Sequence, residues 1–336
     1  MINIGIIGAG YWGPNLVRNF NAQRDCAVVA IADAKTDRRN FIKGQYPAAD
    51  VCADGSEVIG DARVDAVVIA TPVGLHFDLA KQALAAGKHV LLEKPMTASA
   101  AQAQELINLA ERKNLRLMVD HTFIYNGAVR KVRQLIDNGQ IGDVLYFDSV
   151  RVNLGLFQHD VNVIWDLAPH DVSIMDHLMA DTAVAVSAIG RKHFSDTLED
   201  MAYMTVLFDS TAIAHFHVNW IAPVKVRTTL IGGTKKMVVY DDMESSEKIK
   251  VYDKGIEWQA DDEARRKILV EYRVGDMTAP KIDSTEALRL MSREFLDAIT
   301  ACRAPLTDGH AGYRVVRVLE AANRSLADNG RMIPLE

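Results

Sequence analysis

Residues 5–13 read GIIGAGYWG and stand close to the start of the chain. The glycines at positions 8, 10 and 13 have the spacing G-x-G-x-x-G, which is typical of a loop that holds the pyrophosphate of a dinucleotide. The match gains weight because an apolar run precedes it and a helix-like stretch follows, with Pro14 near the first turn. Gly8 permits a tight turn, Gly10 a close approach of backbone to phosphate, and Gly13 close packing of helix on strand. The stretch predicts the opening strand, turn and helix of a dinucleotide-binding domain.

An acidic residue supports this interpretation. Asp33 closes the next apolar run, twenty residues after Gly13. A carboxylate there accepts hydrogen bonds from a ribose 2′-hydroxyl and repels a 2′-phosphate. We therefore expect NAD(H) as the cofactor. NADP(H) stays as the alternative, because Lys35 and Arg38 could reach a 2′-phosphate.

Apolar runs and helix-period stretches alternate over the first 120 residues. The runs are dense in Val, Ile and Leu without polar alternation, and they cover 2–8, 27–33, 65–71, 89–94 and 115–120. The helical patterns between them cover 14–23, 76–87 and 99–114. We expect Ser99 to be the N-cap of the last helix and Gly87 to end the middle one. This order predicts an α/β domain with a doubly wound parallel sheet, a Rossmann domain, over residues 1–122.

The rhythm changes after about residue 122. Helical patterns at 127–139 and 163–179 precede apolar runs that are separated only by turns from 184 to 253, and two helical stretches follow. Strands without crossover helices predict an open, mainly antiparallel sheet. We expect residues 123–336 to form an α+β domain for substrate binding and oligomerisation, with a cleft against the first domain. The C-terminal helices could pack back on the first domain.

Three groups of residues could carry chemistry. Lys94 follows the run 89–94 within Glu93-Lys94-Pro95, and ligands of open α/β sheets bind outside the carboxyl ends of the strands. It could donate a hydrogen bond to a substrate hydroxyl and stabilise developing alkoxide charge, and a plain surface charge is the alternative.

Thr71, Pro72 and His76 end or follow the run 65–71, near where a nicotinamide would lie. The residues expected at the cofactor are Gly8, Gly10, Tyr11, Trp12, Gly13, Asp33, Arg38, Thr71, Pro72, His76, Glu93 and Lys94.

The second group lies in WDLAPHD, residues 165–171. Asp166 and His170 are four residues apart, so on a helix they share one face about one turn apart. A carboxylate that orients an imidazole is the usual arrangement for proton transfer. The alternative is an N-terminal cap followed by a solvated histidine. Pro169 between them weakens helical regularity, which favours a functional site over a structural helix.

The third group is the pair His215 and His217, which would face the same way on a strand. No third ligand stands at a useful spacing, and the three cysteines are far apart, so we expect no metal site. Substrate identity is expected to depend on loops around 121–130 and 151–165. The candidate substrate contacts there are Tyr125, Asn126, Arg151, Asn153, Asn162 and Trp165, with Phe157, Gln158 and Asp160 in the same segment.

Composition excludes several classes of protein. Of the 336 residues 49% are hydrophobic and 24% charged, and the net charge of −6 gives no basic bias toward nucleic acid. No apolar run reaches the roughly 18 residues of a membrane-spanning helix. The chain opens directly into an apolar strand without a basic segment, so we expect no signal peptide, no membrane partner and a cytoplasmic location.

Taken together, these motifs resemble the glucose–fructose oxidoreductase / inositol dehydrogenase / rhizopine-catabolism (Gfo/Idh/MocA) family. The resemblance covers nearly the whole chain and rests on GIIGAGYWG, Asp33, ATP at 70–72, EKP at 93–95, Asp166 with His170, and the later GGTKKMVVYDD and LTDGHAGYRVVRVLEAA. It implies a Rossmann domain followed by a domain whose open sheet forms the interface of a homodimer or homotetramer. It also implies a cis peptide between Lys94 and Pro95.

The resemblance implies hydride transfer between NAD(P) and a secondary hydroxyl or keto carbon of a sugar, nucleotide sugar or cyclic polyol. It implies that Lys94 is the lysine of the motif, that Asp166 and His170 are its acid/base pair, and that Glu93 lies by the nicotinamide ribose. YWGPNLVRNF with NVIWDLAPHD looks most like members of nucleotide-sugar and deoxysugar pathways, whereas Gly127 stands where many relatives have proline. Two alternatives stay open: an NAD-dependent glycosidase that uses transient oxidation at C3, and a non-catalytic NAD-binding regulator.

Overall fold

A computed structural model describes residues 1–155, 157–253, 255–257, 271–273 and 275–335. The chain divides into two compact units. Unit 1 comprises Met1–Asn126 and Thr285–Glu320, and unit 2 comprises Gly127–Ser284 and Ala321–Glu336. The sequence predicted a boundary at 122/123 and counted the C-terminal helices with the second domain, with the alternative that they pack back on the first. In the structure residues 285–320 belong to unit 1.

The strands of unit 1 build one sheet. They are β1 (Ile2–Ile7), β2 (Cys26–Ala32), β3 (Asp50–Cys52), β4 (Ala66–Ile69), β5 (His89–Glu93) and β6 (Leu117–Asp120). In the part of the chain described, they pair in parallel in the order β3-β2-β1-β4-β5-β6. The order reverses between β1 and β4, and ligands of such sheets bind in the crevice at that reversal. The predicted doubly wound parallel sheet is confirmed.

Helices connect these strands. They are α1 (Gly13–Asn21), α2 (Thr36–Gln45), α3 (Gly55–Gly60), α4 (His76–Ala85) and α5 (Ala100–Arg112), with short 3₁₀ turns at Val73–Leu75 and Thr122–Tyr125. Ser99 caps α5 by accepting a hydrogen bond from the Gln102 backbone N–H, as predicted. Gly87 follows α4 with φ +80°, the left-handed conformation typical of a helix end. Neither α3 nor β3 was predicted, because each is too short to show a period.

Unit 2 is built on a second sheet. Its helices are α6 (Gly127–Asp137) and α7 (Val163–Leu178), and its strands are β7 (Val144–Leu154), β8 (Ala183–Arg191), β9 (Met201–Phe208), β10 (Ile213–Asn219), β11 (Ile221–Gly233), β12 (Met237–Asp241), β13 (Ile249–Tyr252), β14 (Gly255–Glu257), β15 (Glu271–Arg273), β16 (Met277–Thr278) and β17 (Ile333–Pro334). Within the described residues the main sheet has the order β16-β13-β12-β11-β7-β10-β9-β8-β17, and β14 pairs with β15 alone. β7 and β10 are parallel and the other pairings antiparallel, which confirms a mainly antiparallel sheet.

Between β16 and β17 the chain forms the helices α8 (Ala287–Thr300) and α9 (Gly309–Ala327). α8 packs on α1 and on the 3₁₀ turn at Thr122–Tyr125. Phe295 of α8 meets Phe20 of α1 edge-on at 6.3 Å between ring centroids, and both side chains are fully buried. Arg18 and Glu286 pair at the rim. These contacts explain why α8 belongs to unit 1.

β7 corrects the expectation of a loop over 151–165. Its residues alternate between the two faces, but buried positions are taken by Ser149 and Arg151, which hide the apolar period. Residues 151–154 are therefore strand, and α7 begins at Val163. The segment between them is 155–162, of which Leu156 lies outside the described residues. At 121–130 the expected loop gives way to the 3₁₀ turn and the start of α6.

None of the helices in the described ranges is both long and apolar enough to span a bilayer.

Candidate active site

The glycine-rich loop joins β1 to α1 in unit 1. Gly8 has φ +102°, and a β-carbon there would stand 2.5 Å from the carbonyl oxygen of Ala70. A β-carbon on Gly13 would stand 2.3 Å from the carbonyl oxygen of Gly8, whereas the space beside Gly10 is open. The turn therefore requires glycine at its first and last positions, and its middle leaves room for a ligand. α1 begins at Gly13 with Pro14 in its first turn, so its N-terminal N–H groups face the loop.

Asp33 lies at the carboxyl end of β2 and holds the loop in place. Its Oδ2 accepts a hydrogen bond from the Ala9 backbone N–H at 2.7 Å, and its Oδ1 accepts one from Lys35 N–H at 2.8 Å. Arg39 donates to the carbonyl oxygen of Asp33 at 2.8 Å. A carboxylate fixed in this way presents a defined acceptor at the edge of the loop.

A groove of about 830 Å³ opens at these strand ends, within the roughly 300–1,000 Å³ of ordinary ligand sites. Seven of the predicted cofactor residues line it: Gly8, Gly10, Tyr11, Asp33, Arg38, Thr71 and Pro72. It is also lined by Lys35, by Asp54 and Gly55 at the start of α3, and by Leu75 and Leu79. Asp54, Gly55, Leu75 and Leu79 were not predicted. For the start of α3, the sequence signal was the spacing of Asp54 and Glu57, which form a capping box. An open glycine loop, a helix N-terminus and an oriented carboxylate fit a dinucleotide diphosphate with its ribose.

The other predicted cofactor residues lie elsewhere in unit 1. Trp12 stacks on Tyr11, which is 88% exposed, and the Trp12 indole Nε1–H donates to Asp120 Oδ2 at 3.4 Å. His76 is buried, with Nδ1 2.9 Å from the Pro95 carbonyl oxygen and Nε2 2.8 Å from that of Thr71. Burial lowers the pKa of this imidazole. His76 thus connects the segments that follow β4 and β5.

Lys94 follows directly on β5, and its peptide bond with Pro95 is cis. The Lys94 backbone N–H donates to Glu93 Oε2 at 3.1 Å. Glu93 is the register partner of Asp120 at the end of β6, and Thr122 donates to Asp120 Oδ1 at 2.6 Å. Glu93 lies in the predicted run 89–94 and Asp120 closes the run 115–120, but the pairing of these two carboxyl groups was not predicted.

In unit 2, α7 carries Asp166 in its first turn and His170 one turn later. The helix runs unbroken through Pro169, so the predicted irregularity is absent. Asp166 Oδ2 accepts a hydrogen bond of 2.9 Å from the indole Nε1–H of Trp220, which is only 1% exposed. Trp220 was not predicted, because it stands 54 residues away in sequence and reaches α7 only through the packing of α7 on β10.

Several residues predicted to contact the substrate already form hydrogen bonds with residues of their own unit. Arg151 is 3% exposed, and its Nε and Nη2 donate to Asp171 at 2.6 and 2.8 Å. Asn162 caps α7 and donates to Glu199 and Asn323, both at 3.0 Å. In unit 1 the Tyr125 hydroxyl lies 3.1 Å from Thr307 Oγ1. These hydrogen bonds favour structural roles within each unit over direct contact with a substrate.

The remaining candidates differ in exposure. Trp165 is buried in α7, whereas Asn126 and Asn153 are half-buried.

An aromatic pocket of about 510 Å³ lies in unit 2. Phe157 stands 5.6 Å from Trp220 and 6.0 Å from Phe194 between ring centroids. The polar side chains at the pocket are Gln158, His159, Ser195 and Thr197. Phe157 and Gln158 were candidates from the sequence, but Phe194 and Trp220 were not. Trp220 therefore both lines a pocket and holds Asp166.

His215 and His217 both lie on β10. Tyr203 on β9 stacks on the two rings, at 6.1 and 4.5 Å between centroids. Among the residues that the structure describes, no group of three metal-ligating side chains stands together.

Two family models match this chain. Residues 2–121 match "Oxidoreductase family, NAD-binding Rossmann fold", and residues 129–239 match "GFO/IDH/MocA C-terminal domain". The first match agrees with the glycine loop and groove of unit 1.

Individual relatives align along most of the chain. UDP-N-acetylglucosamine 3-dehydrogenase of Acidithiobacillus ferrooxidans is 27% identical over 93% of this chain and 93% of its own. Its solved structure superposes with a TM-score of 0.81 at 25% identity, covering 97% of this chain and 99% of the other. The NADP(+)-dependent scyllo-inositol 2-dehydrogenase of Bacillus subtilis is 24% identical over 100% of this chain and 96% of its own. The chain is an NAD(P)-dependent dehydrogenase that belongs to the GFO/IDH/MocA oxidoreductase family.

Proposed function

We propose that this enzyme transfers hydride between NAD(H) and a secondary hydroxyl or keto carbon of a sugar, nucleotide sugar or cyclic polyol. The observation that carries the proposal is the position of Lys94, directly after β5 of the sheet whose β1, β2 and β4 ends line the groove. A cation at that place can bind and polarise a substrate oxygen beside the cofactor.

We assign the cofactor to the groove of unit 1. The open side of Gly10 and the N-terminus of α1 would hold the diphosphate, and the Asp33 carboxylate would accept a hydrogen bond from a ribose hydroxyl. This carboxylate favours NAD(H) over NADP(H). Lys35 and Arg38 line the same groove, and they are the groups that a 2′-phosphate would use.

The bound cofactor supplies the hydride acceptor or donor, and the protein supplies orientation and proton transfer. In the oxidation direction His170 takes the hydroxyl proton, and Asp166 orients the imidazole. Trp220 fixes Asp166 through the hydrogen bond of 2.9 Å. General-base assistance of this kind contributes about 10²–10⁴-fold. The assignment of Lys94, Asp166 and His170 to one reaction rests on their motif positions in the sequence.

Relatives limit the substrate class to be tested. One aligned relative is a dehydrogenase of UDP-N-acetylglucosamine and another of scyllo-inositol. The decisive experiment records NADH formation or loss against inositols, free sugars and nucleotide sugars. Net turnover with one class supports the proposal. Release of product from a glycoside without a net change in NADH would instead identify a glycosidase. Binding of NADH without turnover of any compound would favour a non-catalytic NAD-binding regulator.

We further propose that the open face of the unit 2 sheet joins copies of this chain into a homodimer or homotetramer. Ile189 and Tyr203 are register partners on that face, 52% and 43% exposed, and His217 is the next residue across. A row of exposed apolar and aromatic side chains on a sheet face is typical of an interface. Sedimentation equilibrium tests the proposal, and Tyr203→Glu should lower the measured mass toward that of one chain.

A further inference from the structure

Two carboxyl groups meet at the ends of β5 and β6 in unit 1. Glu93 and Asp120 are partners in the parallel register, so their side chains leave the same face of the sheet at neighbouring positions. Asp120 is 2% exposed, and Oε1 of Glu93 is buried although the residue keeps some exposed surface. Two buried carboxylates side by side would repel each other strongly, so a proton is expected between them.

The hydrogen-bond donors around the pair are distributed unequally. Asp120 Oδ1 accepts a hydrogen bond from the Thr122 hydroxyl at 2.6 Å, and Asp120 Oδ2 accepts one from the Trp12 indole N–H at 3.4 Å. Glu93 Oε2 accepts a hydrogen bond from the Lys94 backbone N–H at 3.1 Å. Its Oε1 meets no N–H or O–H donor among the described residues. An ionised carboxylate is stabilised by donors, so Asp120 is the better site for the charge and Glu93 for the proton.

We propose that Glu93 is a neutral carboxylic acid whose O–H donates to the Asp120 carboxylate, at the strand end that carries Lys94. The pair then bears one negative charge instead of two. Asp120 also joins this strand end to the glycine-rich loop, because Trp12 belongs to that loop. The expected protonation state rests on the strand register, the burial of the two carboxyl groups and the donors around them, whereas its consequence for Lys94 rests on the proposed function.

The electrostatic surroundings agree with this distribution. Burial, and then the charge of Asp120, raises the pKa of Glu93, while Lys94 acts to lower it. Burial also raises the pKa of Asp120, against hydrogen bonds from Thr122, Glu93 and Trp12 and the charge of Lys94.

Three further titratable or charged groups belong to these surroundings. Burial raises the pKa of the Tyr125 phenol, and the Asp120 charge adds to the shift. Burial lowers the pKa of His121 to about 3, assisted by the charges of Lys94 and Arg314, so this ring stays neutral.

Infrared difference spectroscopy tests the proton directly. The C=O stretch of a protonated carboxyl group is separate from the bands of carboxylates and amides. The spectrum of the wild type minus Glu93→Gln at neutral pH is expected to contain this band. Glu105→Gln is the matched control, because Glu105 is half-exposed and pairs with Lys81, so its difference spectrum should show a lost carboxylate only. A difference spectrum for Glu93→Gln with a lost carboxylate and no acid band would overturn the proposal.

The pH dependence of unfolding gives a second readout. Since the pKa of Glu93 is raised in the folded protein, the native state keeps a proton that the unfolded chain releases above about pH 4.5. Stability is then fully present below that pH and is lost as pH rises toward the folded pKa, by up to about tenfold per pH unit in the unfolding constant. Glutamine keeps the shape and the donor without a proton to lose.

The stability of the Glu93→Gln variant relative to the wild type should therefore increase as the pH rises above about 4.5. A variant that becomes less stable over this range would show that Glu93 is ionised and paired with Lys94. Neither measurement uses turnover, so a failure here is distinguishable from a failure of the proposed activity.

Discussion

Replacement of Arg151 by methionine separates a structural role of this residue from the predicted substrate contact. Arg151 and Asp171 are each 3% exposed and share two hydrogen bonds of 2.6 and 2.8 Å. Methionine fills similar volume but leaves the Asp171 carboxylate buried without its partner guanidinium. Loss of one partner of a buried ion pair costs about 3–5 kcal/mol. At 1.4 kcal/mol per factor of ten, the unfolding constant should rise about 10²–10⁴-fold.

Denaturant unfolding of the wild type, Arg151→Met and the double variant Arg151→Met/Asp171→Leu measures this cost. The double variant removes both charges, so it should recover most of the stability. Lys81→Met is the control for a surface pair with Glu105, where about 0–1 kcal/mol is expected. The reasoning would be refuted by an Arg151→Met protein of normal stability with a raised KM for substrate, because that pattern identifies a substrate contact.

Two other substitutions test the site. Asp33→Asn keeps the shape of the side chain but removes the negative charge of the carboxylate that accepts a hydrogen bond from Ala9 N–H. The dissociation constant for NADH should therefore rise about tenfold, while the dissociation constant for NADPH should fall or stay constant. Fluorescence titration of both cofactors measures this, and an unchanged ratio of the two constants would contradict the role given to Asp33. Trp220→Phe removes the donor to Asp166 Oδ2, so kcat/KM should fall about tenfold with NADH affinity retained. Unaltered kcat/KM in a folded Trp220→Phe protein would count against Asp166 as the orienting group.

Features that depend on adjacent residues could be predicted from the sequence. The glycine spacing, the N-cap at Ser99 and the helix end at Gly87 are local, because each is decided within one turn of chain. The parallel sheet of unit 1 was also readable, since its strands are buried on both faces and form continuous apolar runs.

Features that depend on contacts between distant segments were hidden. β7 carries Ser149 and Arg151 at buried positions, so its period could not be recognised without Asp171 opposite. Trp220 reaches Asp166 only after β10 and α7 pack together. The pairing of Glu93 with Asp120 follows from strand register, which a single sequence does not specify.

The most direct test of the central claim is single-turnover hydride transfer with the substrate found in the panel of inositols, free sugars and nucleotide sugars. The wild type should form or consume one NADH per active site, and Lys94→Ala and His170→Ala should each slow this step about 10²–10⁴-fold while NADH affinity stays unchanged. Hydride transfer at the wild-type rate in both variants would contradict the assignment of Lys94 and His170 to the reaction.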